Sequence, residues 1–146
     1  MARYSIAGRS SAAATSTLPA LSLYASASGG GAIREIGLVN TTSTAFVATL
    51  RRFTATGTQG AALTEIAHNA DKPSPQCTGF DAHSVTPTIT AGVFRQVVLG
   101  AAVGSMVIWT FGDEGLVINL GTANGYGILC PTGTGQIFDY WIDWDE

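Results

Sequence analysis

The sequence predicts an all-β sandwich, and three observations predict it. Apolar and polar residues alternate in runs of strand length, while segments with helical periodicity are nearly absent. The second half is punctuated at short, even intervals by AAVGS, GDEG, GTANG and PTGTG, each with a glycine able to supply the positive φ of a tight turn. Strands at such spacing are the pattern of sandwiches and barrels. At 146 residues the chain is also long enough to bury one core without disulfide staples.

Residues 1–32 are rich in Ala, Ser, Thr and Gly and predict an extended N-terminal arm, with Leu21–Tyr24 as a possible first strand and Gly29–Gly31 as a flexible joint. Such a stretch buries little apolar area alone, so it is expected to serve contacts between subunits. The alternative is a first strand followed by a mobile loop. Residues 33–146 are expected to form a single β-sandwich domain. Arg34–Val39 and Ala45–Thr54 read as a hairpin about the turn formers Asn40–Thr44, with Phe46, Ala48 and Leu50 on one face and Val47, Thr49 and Arg51 on the other.

Gly57–Pro87 is a long, weakly patterned connection in which Ala61–Asn69 could form a helical turn or two. Val93–Leu99, Met106–Phe111, Leu116–Leu120, Tyr126–Cys130 and Ile137–Trp144 follow as strands. Met106–Phe111 is almost wholly apolar, which predicts a central strand covered on both faces. In the last strand Phe138, Tyr140, Ile142 and Trp144 point to the core. Asp139, Trp141, Asp143 and Asp145 point outward.

Composition excludes several function classes. Only 12% of residues are charged, about half the usual share, and the net charge is −3 with a single lysine, Lys72. No basic run exists, so nucleic-acid binding lacks an electrostatic footprint. No stretch reaches the ~20 apolar residues of a membrane helix; the longest, Val97–Phe111, is short and broken by glycine. The N-terminus carries arginines and small residues but no continuous hydrophobic centre, so it reads as mature structure. Cys77 and Cys130 could pair, yet they make neither a disulfide framework nor a zinc site, and a reducing intracellular origin is the default expectation.

Catalytic and metal motifs are missing. Asp139 and Asp143 lie about 13 Å apart along a strand, too far for a retaining carboxylate pair. Gly112–Gly115 holds two carboxylates without a calcium-loop pattern and reads as a turn. His68 and His83 lack the spacing of a jelly-roll metal site. Asn40-Thr41-Thr42 matches a glycosylation sequon but needs no role beyond a turn. No enzymatic centre, metal or cofactor is expected.

The stretches REIGLVNTTSTAFVATLRRF and GLVINLGTANGYGILCPTGTGQIFDYWIDWDE, about a third of the chain, resemble bacteriophage capsid decoration (cement) proteins and related small virion modules. The resemblance implies a jelly-roll-like sandwich, a homotrimer, and a place on the outside of an icosahedral head, bound to the major capsid protein and assembled in the host cytoplasm. It carries no catalytic residue. The scarcity of charge agrees with it, because a neutral surface suits a subunit covered by neighbours. Trp141 and Arg95 are the candidate contact residues, since Trp and Arg are enriched at the energetic centres of interfaces. Arg3 and Arg9 join them. The competing class is a carbohydrate- or receptor-binding β-sandwich of a phage particle, with Trp141, Tyr140 or Tyr126 as stacking platforms.

Overall fold

The computed structural model describes residues 1–146 and contains eleven strands and no helix. In chain order they are β1 (Arg3–Arg9), β2 (Leu21–Tyr24), β3 (Gly31–Asn40), β4 (Phe46–Phe53), β5 (Ile66–Ala67), β6 (Thr78–Asp81), β7 (Ile89–Leu99), β8 (Met106–Thr110), β9 (Leu116–Ile118), β10 (Gly125–Leu129) and β11 (Phe138–Asp145). Two antiparallel sheets result. The first has the order β5-β1-β11-β3-β8, with β9 pairing the start of β3, and the second the order β6-β2-β10-β4-β7.

Four of these pairings are nested: β4 with β7, β3 with β8, β2 with β10 and β1 with β11. A long antiparallel ribbon folded in this nested way and rolled into two sheets is a jelly roll. The inner faces meet in one core that takes Ile6, Leu23, Ile36, Leu50, Tyr126, Ile142 and Trp144 from six different strands. The expected face assignment of the last strand holds: Phe138, Tyr140, Ile142 and Trp144 are all buried. So does that of β4, where Phe46, Ala48 and Leu50 enter the core.

Residues 1–32 are not an extended arm. β1 pairs with β11 over its whole length, Arg3 opposite Asp145 through Arg9 opposite Asp139, and places Tyr4 and Ile6 in the core. All four residues of β2 are buried. The small residues that suggested an arm are what lets these strands pack closely. A Cβ at Gly8 would stand 3.2 Å from the Tyr140 hydroxyl.

The expected hairpin is also corrected. β3 and β4 exist, but they lie in opposite sheets and the run between them is an arch. Asn40 holds that arch. Its Nδ2 donates to the carbonyls of Thr44 and Gly100, and its Oδ1 accepts from the Thr42 backbone N–H and hydroxyl. This side chain is fully buried, which removes the sequon as a surface feature.

Met106–Phe111 is not a central strand. β8 is an edge strand whose only buried residue is Trp109. Ala61–Asn69 is extended rather than helical, and contributes β5. Cys77 and Cys130 are both buried free thiols. The turn chemistry was read correctly, since Gly104, Gly112, Gly121 and Gly133, one from each separator, have positive φ.

Candidate functional site

A sandwich offers two outer faces and two open sides, and this chain treats them differently. The outer face of the second sheet is covered by the chain itself. Tyr24, Phe53 and Leu129 form a small second cluster there. The Gly57–Pro87 connection folds over it, held by pairing of Thr58 with Val85 and of Ala62 with Phe80.

His83 is the pin of this cover. Its ring lies between Tyr24 and Phe53, with centroids 6.0 and 6.3 Å away, and its Nε2 is 2.8 Å from the Ser22 hydroxyl. Burial pushes its pKa down, and the Thr56 backbone beside it offsets this only in part. Its Nδ1 has no hydrogen-bond partner of good geometry.

The outer face of the first sheet has no such cover. Across its middle runs one row of register partners, Ala7, Trp141, Gly37 and Ile108. The next row is Arg9, Asp139, Val39 and Met106. Trp141 lies flat on the glycine, since a Cβ at Gly37 would fall 2.1 Å from the indole ring. Its Nε1 donates to Glu35 Oε1 at 2.7 Å. The ring is thus half-buried, one face on the backbone and the other outward. A sequence reader could place Trp141 on the outer face by alternation alone. The partner glycine that cradles it is set by the register of two strands about 100 residues apart in the chain.

The other candidate residues are placed differently from one another. Arg3 makes a two-pronged ion pair with Asp145, at 2.8 and 3.1 Å. Arg34, unpaired on β3 at a register shift, joins it through Nε at 2.6 Å. Asp145 therefore keeps to the acidic face, yet it is buried under two arginines. The hydrogen bond from Arg3, helped by Arg34, holds its carboxyl below the usual carboxylate range. Arg9 pairs with Asp139 at 2.6 and 3.0 Å on the exposed rim. Both arginines are thus engaged within the chain, where a sequence reading sees only isolated positive charges. Arg95 is on β7, its guanidinium 5.2 Å from the centre of the Phe111 ring.

Two aromatic residues read as possible stacking platforms are interior. Tyr140 is buried in the core. Tyr126 is also buried, its hydroxyl accepting from Arg52 and donating to the Val117 carbonyl. A π-face enclosed by side chains cannot receive a sugar, so of the three only Trp141 is open to a partner.

One constellation was not legible in the sequence. Ser5, Asp143 and His68 come together on β1, β11 and the end of β5. The Ser5 hydroxyl donates to Asp143 Oδ1 and lies 2.6 Å from His68 Nε2. The order is wrong for a nucleophilic triad, which needs the imidazole between serine and carboxylate. Here the serine is in the middle. Its proton goes to the carboxylate, and the imidazole donates onto the oxygen it would have to deprotonate. No three His, Cys, Asp or Glu side chains converge as a metal site, and no helix is long and apolar enough to cross a membrane. Compared with known proteins, the chain matches no family model, no curated protein and no solved structure.

Proposed function

We propose that this chain is a virion structural protein, a capsid decoration (cement) subunit without enzymatic activity. It forms a homotrimer that binds the major capsid protein on the outside of an icosahedral phage head, after synthesis in the host cytoplasm. The observation that carries the reading is the uncovered outer face of the first sheet, with Trp141 laid flat at its middle and the arginines around it, Arg3, Arg9 and Arg34, each paired to a carboxylate of the same face. The chain folds its own Gly57–Pro87 connection over one sheet and leaves the other open, in a molecule where only 12% of residues are charged. A large aromatic fixed in place, with Ala7 and Gly37 as its cross-strand neighbours, is the kind of anchor found at interface centres. The jelly roll agrees with the role, since capsid modules use it, though lectins and cupins use it too.

The test is co-sedimentation of the purified chain with heads of the same phage from which it has been stripped. Wild type should saturate the heads at a fixed copy number. Trp141→Ala should lower occupancy at least ~10-fold, the effect of a modest interface hot spot. Absence of head binding by folded wild type would remove the proposal.

A further inference from the structure

Val97–Phe111 is the longest apolar stretch of the sequence, and the structure puts it where water reaches it. The run Gly100–Ser105 carries the chain from the second sheet to the first around one side of the sandwich. β7 and β8, each the edge of its sheet, therefore stand together as one wall. β7 pairs only with β4, and β8 only with β3. Val93, Val98, Val103, Met106, Ile108 and Val117 on and beside this wall are each at least 46% exposed.

Edge strands are normally guarded by brevity, charge, proline or bulges. The far edges obey: β5 has two residues and β6 four. β7 has eleven, and its register shifts are confined to the Leu50–Phe53 half of β4, leaving Gln96–Leu99 regular. Between Ile89 and Phe111 the only charged residue is Arg95, exposed, with its guanidinium 5.2 Å from the centre of the Phe111 ring.

We infer that the β7–β8 wall is the surface on which copies of this chain meet each other. A surface with a single cation selects a partner equally poor in charge, and an open strand edge selects another open edge. A second copy supplies both. The wall also has two unlike halves, β7 from one sheet and β8 with β9 from the other. A head-to-tail contact of one half with the other half of the next copy makes a ring when the rotation between copies closes and a filament when it does not. The wall's size suffices where two whole walls meet: eleven residues at ~3.3 Å by two sheets with their side chains, ~20 Å across, gives ~700 Å², close to the ~800 Å² per partner of a standard stable interface, and a head-to-tail contact uses about half of that on each copy. The inference rests on the self-association in the proposed function but not on the shell, which the Trp141 face would meet.

Sedimentation equilibrium of the full chain tests it. Wild type should sediment at a multiple of 15.0 kDa. The double variant Val93→Lys with Val98→Lys, both on β7 and away from the Trp141 face, should sediment as a monomer, with an unchanged far-ultraviolet spectrum. Val103→Lys, at the turn where no strand pairing is at stake, should weaken association at least ~10-fold. Ile66→Lys, an equally exposed apolar residue on β5 at the far edge, should keep the wild-type mass.

A monomeric wild type, or wall variants that keep its mass, would overturn the inference. If wild type is monomeric and the wall variants lose head binding, the wall belongs to the shell, and only the head-binding part of the proposed function survives. If the oligomer is lost in the wall variants while no form binds heads, the wall stands and the decoration role falls. A dimer lost in the same variants keeps the wall and removes the trimer.

Discussion

Residues 3–24 and residues 89–111 exchange the places their compositions suggest. The first stretch is rich in Ala, Ser and Thr, yet it contributes Tyr4, Ile6, Leu21 and Leu23 to the core. The second is the most apolar part of the chain, yet it forms an edge wall with several large side chains in water. The cause is position in the roll. β1 and β2 each lie between two strands, β11 and β5 for one and β10 and β6 for the other. Their inward residues are closed over from the opposite sheet. β7 and β8 have a neighbour on one side only. Mean hydropathy of a stretch says how much it would gain from burial, while strand order decides whether anything is there to bury it.

The largest expected effect would come from removing β1. Deleting residues 2–10 should abolish the cooperative thermal transition, because β11 loses its partner and the core loses Tyr4 and Ile6. A folded, assembly-defective protein would instead restore the arm. Within the same region Ile6→Ala or Leu23→Ala should each lower stability by about 2–5 kcal/mol in denaturant titration, the range for large-to-small changes in a tight core. At the wall Val98→Ala or Met106→Ala in the monomeric state should change stability by less than about 0.5 kcal/mol, as exposed substitutions usually do. A wall variant as costly as a core variant would erase the contrast.

Gly37 tests whether the open face is built around Trp141. Gly37→Val should cost about 1–3 kcal/mol by overpacking and raise the exposure of Trp141 in fluorescence quenching. No change in quenching would place the indole elsewhere.

The cover over the second sheet should respond to acid. The folded state holds His83 at a lowered pKa, so the unfolded chain binds that proton more tightly. Stability is therefore complete above the unfolded value of about 6.5 and is lost as pH falls through it toward the folded pKa. Asp145 adds a second loss at lower pH, because its folded pKa is lowered: that contribution is complete above the usual carboxylate value and is lost as pH falls through it toward the folded pKa. His83→Gln should flatten the limb that begins just below about pH 6.5 and leave the more acid limb in place. A slope in that window unchanged by the substitution would assign it to another group. The smallest effect is expected at Arg9→Ala, whose exposed pair with Asp139 should hardly change the melting temperature.

The glycine-punctuated alternation from Val93 onward made strand identity and turn chemistry legible, because both depend on residues close in sequence. The inward face of β11 was legible for the same reason. Asn40–Thr44 misled: turn formers mark where the chain changes direction, but a hairpin and an arch between sheets use the same residues. The buried Asn40 carboxamide, bridging Thr44 and Gly100, belongs to the arch. Likewise Ser5, His68 and Asp143, or Arg3 and Arg34 with Asp145, are brought together by strand register across more than 60 positions of sequence.

By itself the sequence determined an all-β chain, its turn glycines, the outward place of Trp141 and a surface poor in charge. Each follows from local backbone preference, period-two alternation or plain counting. Only the tertiary structure decided the nested jelly-roll pairing, the interior place of β1 and β2, and the exposed place of the apolar β7–β8 segment. Those depend on which strands end up at an edge, and edge position is a property of the closed sheets, with no trace in any single stretch of residues.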